Sequence, residues 1–409
     1  MNAPAQTFAS RSQWQLIGAA ALILLLTTGS RQSLGLFVAP IDASTGLGIA
    51  QISLALAVGQ LIWGASQPVF GAIADRYGPG PVLLAGGVLL ALGFGMAPYV
   101  HTAAGLVASL GLLSAAGAGA GSFSVLMAAA ARELAPQLRA FAAGLINAGA
   151  SLGQFLFAPL DQALIGLLGW TSAMGAMALI MLAIIPLALG IGRAVPAEHA
   201  GAAQGPGLRL QLRQAAGNPD YWCLHAGFFT CGFHLAFLVT HLPTEINLCG
   251  LRSGVAATSL AIIGLANIAG SLGAGYLGNR VRMKWLLFWT YLTRALAIGV
   301  YLFAPRTALT FYVFAAVLGI TWLSTVPSTA GLVGKLFGTR YLATLFGLTM
   351  LSHQIGGFLG AWLGGLAMGR FGNYSWMWYA DILLAVGAAL VNLPIREARI
   401  TRVSVKSDS

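Results

Sequence analysis

The sequence predicts an all-α membrane protein, with twelve transmembrane helices in two pseudo-symmetric six-helix bundles. Three observations predict it: too little charge for a water-soluble surface, a series of apolar runs of bilayer-crossing length, and a sparse repeat at a single offset. Of 409 residues only 21 are Lys or Arg and 10 are Asp or Glu, while 58% are hydrophobic. A soluble surface cannot be covered with so few charges.

Runs long enough to cross a bilayer of ~30 Å as helices fall at 15–40, 50–73, 81–99, 103–130, 140–164 and 170–193. A second set follows at 220–242, 254–278, 283–304, 307–331, 341–367 and 374–395. Residues 1–13 are too polar for a signal peptide, and the first run is too long for one and lacks a cleavage site, so it is expected to stay as span 1.

A net charge of +11 would suggest nucleic acid if the basic residues formed one patch, but they follow loop parity instead. One set of alternate loops, with both tails, holds 16 Lys or Arg; the opposite set holds only Arg252, Arg306 and Arg370. This bias places both termini in the cytoplasm of a multi-pass protein of the plasma or inner membrane, and no nucleic-acid partner is expected. Cys223, Cys231 and Cys249 form an odd set without a CxxC, so neither a disulfide framework nor a metal site is expected, and no cofactor. There is no HExxH, Walker loop or carboxylate cluster, and no enzyme is expected.

The longest polar interruption, 193–220 with "PAEHAGAAQGPG", divides the chain into an N-terminal six-helix bundle (1–193), a cytoplasmic linker (194–219) and a C-terminal six-helix bundle (220–409) with a short cytoplasmic tail. Sliding one half over the other gives an offset of about 203: Pro40 falls on Pro243, Arg132 on Lys335, and "GQFL" (153–156) on "GGFL" (356–359). "GAIADR" (71–76) falls on "GYLGNR" (275–280) at 204. Parallel repeats of this kind imply a pseudo-two-fold axis along the membrane normal, with a cavity where the halves meet. Arg31 then falls on His234, and both can face the axis.

With these features the chain resembles the major facilitator superfamily over essentially its whole length. The carrying residues are "GAIADRYGPG" (71–80), which matches that family's G-x-x-x-D-R-x-G loop, and the degenerate "GYLGNRVRMK" (275–284). "SLGLFVAPI" (33–41), "RELAPQLRAFAAGLINAGASLGQFLFAPL" (132–160) and "LFGLTMLSHQIGGFLGAWLGG" (345–365) look most like the monocarboxylate-porter and oxalate–formate exchanger branch. The resemblance implies rocker-switch alternating access, with Asp75 and Arg76, and Asn279 and Arg280 in the second copy, as a conformational latch between the halves. Three departures stand out. Pro79 and Gly80 replace the family's basic pair, Asn279 replaces its Asp, and Asn267 and Ser271 occupy the span 8 positions where the branch has an acid and an arginine. Some members carry a functional lysine on span 1, one position from Arg31.

Arg31 leads the candidate residues, since a charge at mid-helix costs roughly 2.5–3.5 kcal/mol on insertion scales and usually faces a partner or a wet cavity. Thr27, Gly35 and Ala39 share its face as a small and polar stripe. With no acid on span 1 the simplest partner is a carboxylate from solution, bound through charge-assisted hydrogen bonds; snorkelling or pairing within the protein is the alternative. Gln32 is grouped with it as a substrate contact. His234, on a face with Gly227, Thr230 and His241, could bind the same anion or carry a coupled proton, or be a neutral ring held by a backbone carbonyl.

His353 stands beside the glycine seam Gly356, Gly360 and Gly364 as a second titrating group and substrate contact. Asn147, Ser151 and Gln154 make a polar stripe on span 5, and Trp322 on span 10 either walls a pocket or fills core. Asp161, near the outer end of span 5, is a further proton-coupling candidate. In this family's fold spans 9 and 12 are peripheral, which implies structural roles for Arg294 and Asp381. The expected function is secondary transport of a small organic anion, most simply a monocarboxylate, by proton symport or anion exchange, in a monomer surrounded by membrane lipid. The alternatives are export of neutral or amphiphilic compounds and a non-transporting sensor of the same fold.

Overall fold

A computed structural model describes residues 11–134, 136–191, 207–278, 280–338 and 341–397, and every regular element among them is helical. In chain order the first half holds α1 (Arg11–Gln32), α2 (Gly35–Thr45), α3 (Ile49–Tyr77), α4 (Pro79–Met96), α5 (Ala103–Leu106), a wider π-wound stretch (Val107–Ser114), α6 (Ala115–Ala120), α7 (Phe123–Glu133), α8 (Pro136–Met181) and α9 (Ile184–Ile191). The amphipathic α10 (Leu208–Ala216) follows, within the expected linker, whose residues 194–206 lie outside the described ones. The second half holds α11 (Pro219–Leu248), α12 (Ser253–Leu277), α13 (Met283–Phe303), α14 (Ala308–Thr321), α15 (Thr325–Phe337), α16 (Leu342–Phe371) and α17 (Ser375–Val391).

Nine helical stretches among the described residues are long and apolar enough to cross a membrane. One of them, Ala142–Ile191, contains a break at Gly169 (φ 77°, ψ 162°) and covers two of the expected runs. The last two expected runs fall on α16, whose middle carries Ser352, His353 and Gln354, and on α17, which has 17 residues.

The sequence offset reappears in the backbone. Gly169 (φ 77°) and Gly372 (φ 67°) are 203 apart, and Gly46 (φ 65°) and Gly250 (φ 73°) are 204 apart. Each glycine leaves the left-handed region open where a long helix must turn over, which an L side chain resists. The fourth and tenth expected runs are interrupted at matching places, between α6 and α7 and between α14 and α15. Helix pairing repeats too: Gly153 of α8 packs on the Leu25 carbonyl of α1, and Gly356 of α16 packs on the Phe229 carbonyl of α11. The "GQFL"/"GGFL" match therefore marks two equivalent helix crossings, where a Cβ would strike backbone.

One core of buried apolar side chains runs from Leu16 to Ile191, and a second runs from Ala215 to Ile395, joined by Leu36 and Ala158 from the first half. The halves meet where α3 faces α16, α8 faces α12 and α2 faces α11. Along α3 the close approaches to α16 are at Ala50, Ser53, Gln60 and Gly64. Beyond them, towards the side where α1 begins and α17 ends (the chain-end side), Val69, Ile73 and Tyr77 are exposed. The seam is thus packed at middle depth and towards the side opposite the chain ends.

Candidate functional site

Arg31 stands in the last turn of α1, where a cation meets the negative end of the helix dipole. Ser33 ends that helix: its Oγ lies 3.1 and 3.2 Å from the Gly29 and Ser30 carbonyls, and the chain passes through a two-residue turn at 33–34 into α2. Arg31 Nη1 donates to Gln60 Oε1 at 2.7 Å, and the guanidinium lies 4.1 Å from the centre of the Trp63 ring. Gln60 and Trp63 are three residues apart on α3 and so share a face. Arg31 Nε is buried without a partner. Among the described residues no carboxylate forms an ion pair with it.

The guanidinium borders a narrow cleft whose free space, about 20 Å³, holds no more than a water molecule. Leu34, Leu56, Leu110 and Val239 give it apolar walls, and Gln60, Ser114 and Thr240 add polar groups. Val239 and Thr240 belong to α11 and the remainder to the first half, so the cleft lies on the seam. The chemistry of its lining, one cation among mostly apolar walls, suits one anionic group on a short apolar body, and admitting it requires the seam to widen.

None of Gln32, Asn147, Gln154, His234, Trp322, His353 and Asp161 lines this cleft. Gln32 is buried with its Oε1 unpartnered, and Asn147 is half-buried on α8. Gln154 is buried with neither amide atom partnered, and its Cβ lies against Gly264 across the seam. His234 turns into the second half, where its Nδ1 is 2.6 Å from Asp381 Oδ2 on α17, both side chains being fully buried. In place of the expected axial position opposite Arg31, His234 has a resident carboxylate. Offset alone specifies a position along a helix; the choice of partner depends on which neighbour packs there.

Trp322 is buried in the break between α14 and α15, its ring 6.3 Å from that of His234. His353 faces Phe228 at 5.1 Å within the second half, with Nδ1 unpartnered. Asp161 is fully buried on α8, where its Oδ2 accepts from Ser33 Oγ at 2.5 Å. Of the four latch residues, the Asp75 side chain and Asn279 lie outside the described ones. Arg76 rests over the Tyr77 ring at 5.2 Å and Arg280 over the Tyr276 ring at 4.4 Å.

Arg294, fully buried on α13, donates through Nη2 to the Thr321 and Trp322 carbonyls, at 2.5 and 2.8 Å, and so caps the broken end of α14. Asn267 donates to Ser151 Oγ across the seam at 2.9 Å and accepts from Leu323 N and Ser271 Oγ at 3.1 Å each. Asn267 therefore joins the halves by a neutral hydrogen bond. Sequence reasoning missed Gln60 and Trp63, although Gln60 is conspicuous in "AVGQLIWG" as a polar side chain at the middle of an apolar run.

The chain matches the model of the Major Facilitator Superfamily over residues 20–361. Among curated proteins it is 27% identical over 387 residues to monocarboxylate transporter 13 of Rattus norvegicus, covering 93% of this chain and 89% of that one. It is 25% identical over 371 residues to the oxalate:formate antiporter of Oxalobacter formigenes, covering 88% and 86%. Among solved structures it superposes with a TM-score of 0.72, at 14% identity and 94% coverage of each chain, on a bacterial homolog of the human lysosomal transporter Spinster in an inward-facing and unoccupied conformation. The match to that structure shows the fold, and the family match shows the lineage: this multi-pass membrane protein belongs to the major facilitator superfamily.

Proposed function

We propose that the protein is a secondary transporter of small monocarboxylates, working by alternating access between six-helix bundles at 1–193 and 220–409 joined by the linker 194–219. In this reading the chain crosses the membrane twelve times, as a monomer in the plasma or inner membrane, with both termini in the cytoplasm. The observation that carries it is Arg31: a guanidinium on the seam between the halves, held by the neutral Gln60 and the face of Trp63, with Nε unpartnered and an apolar cleft beside it. A resident acid at that place would compete with an anion from solution. A neutral amide and an aromatic face hold the cation in place and leave its charge available. The names of the relatives, two of which are a monocarboxylate transporter and an oxalate:formate antiporter, agree in chemical class.

The four apolar walls favour a second reading, export of neutral or amphiphilic compounds, and a relative named as a fujikurins efflux protein, 27% identical over 54% of this chain, is consistent with it. The two readings separate in proteoliposomes. Exchange of radiolabelled acetate, lactate or pyruvate that is saturable in wild type and lost in Arg31→Ala supports the anion reading. Carboxylate exchange unaffected by Arg31→Ala, or transport of neutral amphiphiles alone, overturns it.

A further inference from the structure

Ser33 ties the Arg31 turn to a second buried charge. Asp161 is 0% exposed; one of its carboxylate oxygens accepts from Ser33, and the other, Oδ1, is buried without a partner. Among the described residues no cation forms an ion pair with it. Ser33 belongs to the two-residue turn between α1 and α2, two positions after Arg31. Arg31 and Asp161 therefore flank the end of α1 from different sides: the base leans on α3, and the acid projects from α8 to Ser33.

The elements packed on this part of α8 bring little other charge. Neither α4 nor α9 has a titratable side chain, and α12 has only Tyr276, near its chain-end side. On α2, the Asp42 carboxylate accepts from Gly48 N at 2.9 Å, and Tyr99 beyond α4 is 82% exposed. Glu133 on α7 is exposed at the opposite end of the bundle from Asp161. Among the described residues the interior of the first half thus holds one base and one acid, Arg31 and Asp161.

We propose that Asp161 is the proton site of the transport cycle and the internal counter-charge of Arg31. This rests on the anion reading above. When a carboxylate occupies the Arg31 cleft, the guanidinium is neutralised by its cargo, and Asp161 takes a proton from the same aqueous side. The loaded interior then carries no net charge. When the anion leaves, the proton leaves Asp161 to that solution, and the carboxylate balances Arg31 while the empty carrier returns. No covalent bond is made or broken, and one proton moves with one monocarboxylate. Without an ionisable Asp161, Arg31 has no counter-charge in the empty carrier. Return across the low-dielectric region is then strongly disfavoured, whereas exchange of one bound anion for another remains possible.

The test uses the full chain in proteoliposomes with radiolabelled lactate, in two assays: exchange against internal lactate, and net uptake driven by a pH gradient. Asp161→Asn is expected to keep exchange within about threefold of wild type and to lose net uptake by tenfold or more, with Asp161→Glu restoring it. Ser33→Ala removes a hydrogen bond to the ionised carboxylate, so the pH midpoint of net uptake is expected to rise, by about half to one pH unit. Three results would overturn the proposal: net uptake by Asp161→Asn at the wild-type rate, loss of exchange together with net uptake in that variant, or an unmoved midpoint in Ser33→Ala. Failure of the anion reading looks different, since Arg31→Ala would then exchange lactate as wild type does.

Discussion

Two positions related by the internal repeat, Arg31 and His234, are treated in opposite ways. In the second half the basic ring is fully buried and hydrogen-bonded to Asp381 from a neighbouring helix, so its partner is supplied within the protein. In the first half the guanidinium borders a cleft, and a neutral amide and an indole support it. Two positions 203 residues apart both carry a basic side chain, and one is tied to a buried carboxylate while the other borders a cleft. The difference teaches that a polar group inside a membrane protein is assigned by its neighbours more than by its depth.

The largest expected effect falls on the balanced side. Removing one member of this buried pair leaves its partner unsatisfied, at a cost of about 1–3 kcal/mol, and more where the remaining group is charged. His234→Leu and Asp381→Leu should each lower the thermal unfolding temperature in detergent markedly. The double variant should lose much less than the sum of the two, since replacing a whole buried pair by apolar side chains is often close to neutral. Additive losses would mean that the 2.6 Å contact is not an energetic unit.

On the open side the balance between stability and transport should reverse. Arg31→Ala is expected to melt no lower than wild type while carboxylate exchange falls by about 10- to 100-fold, the equivalent of one charged hydrogen bond of roughly 1.5–3 kcal/mol. Arg31→Lys should recover part of the rate, because an ammonium keeps the charge but loses the planar fork. A variant that melts low and also fails to transport would place Arg31 with His234 as structure, and the contrast between the halves would disappear.

What was legible beforehand follows the same division. The offset of about 203 was visible in a few matched residues, and it returns in the paired turns at Gly169 and Gly372 and at Gly46 and Gly250. Such features are local: a glycine whose backbone must be left-handed, or must touch another backbone, leaves a mark at its own position. Side-chain partners leave no such mark. His234 and Asp381 are 147 residues apart, and Arg31 and Gln60 are joined by packing between helices that periodicity does not orient. The structural role expected of Arg294 has a form that sequence could not supply, a cap on the broken end of α14, because the break itself is not marked by glycine.

A smaller effect should come from the support of Arg31. A cation resting on an indole gains about 0.5–2 kcal/mol, so Trp63→Ala should weaken apparent lactate affinity by about 2- to 30-fold in the exchange assay. Trp63→Phe should fall between the two. If Trp63→Ala changes neither affinity nor rate, the 4.1 Å contact merely fills space.

The smallest expected effect concerns the seam that joins the two halves. Asn267 and Ser151 hold α12 to α8 by a neutral hydrogen bond of 2.9 Å, worth about 0.5–1.5 kcal/mol. Ser151→Ala should therefore shift the opening equilibrium on the side opposite the chain ends by about 2- to 10-fold. Labels at Leu167 and Leu248, both exposed near that side, would report the shift as a larger population at long distance. Asn267→Ala should act more strongly, because Asn267 also accepts from Leu323 N in the break between α14 and α15, and its loss frees that backbone amide as well as the seam. If the two substitutions open the seam equally, the break is uncoupled from it, and the bond at Leu323 serves only to satisfy a buried donor.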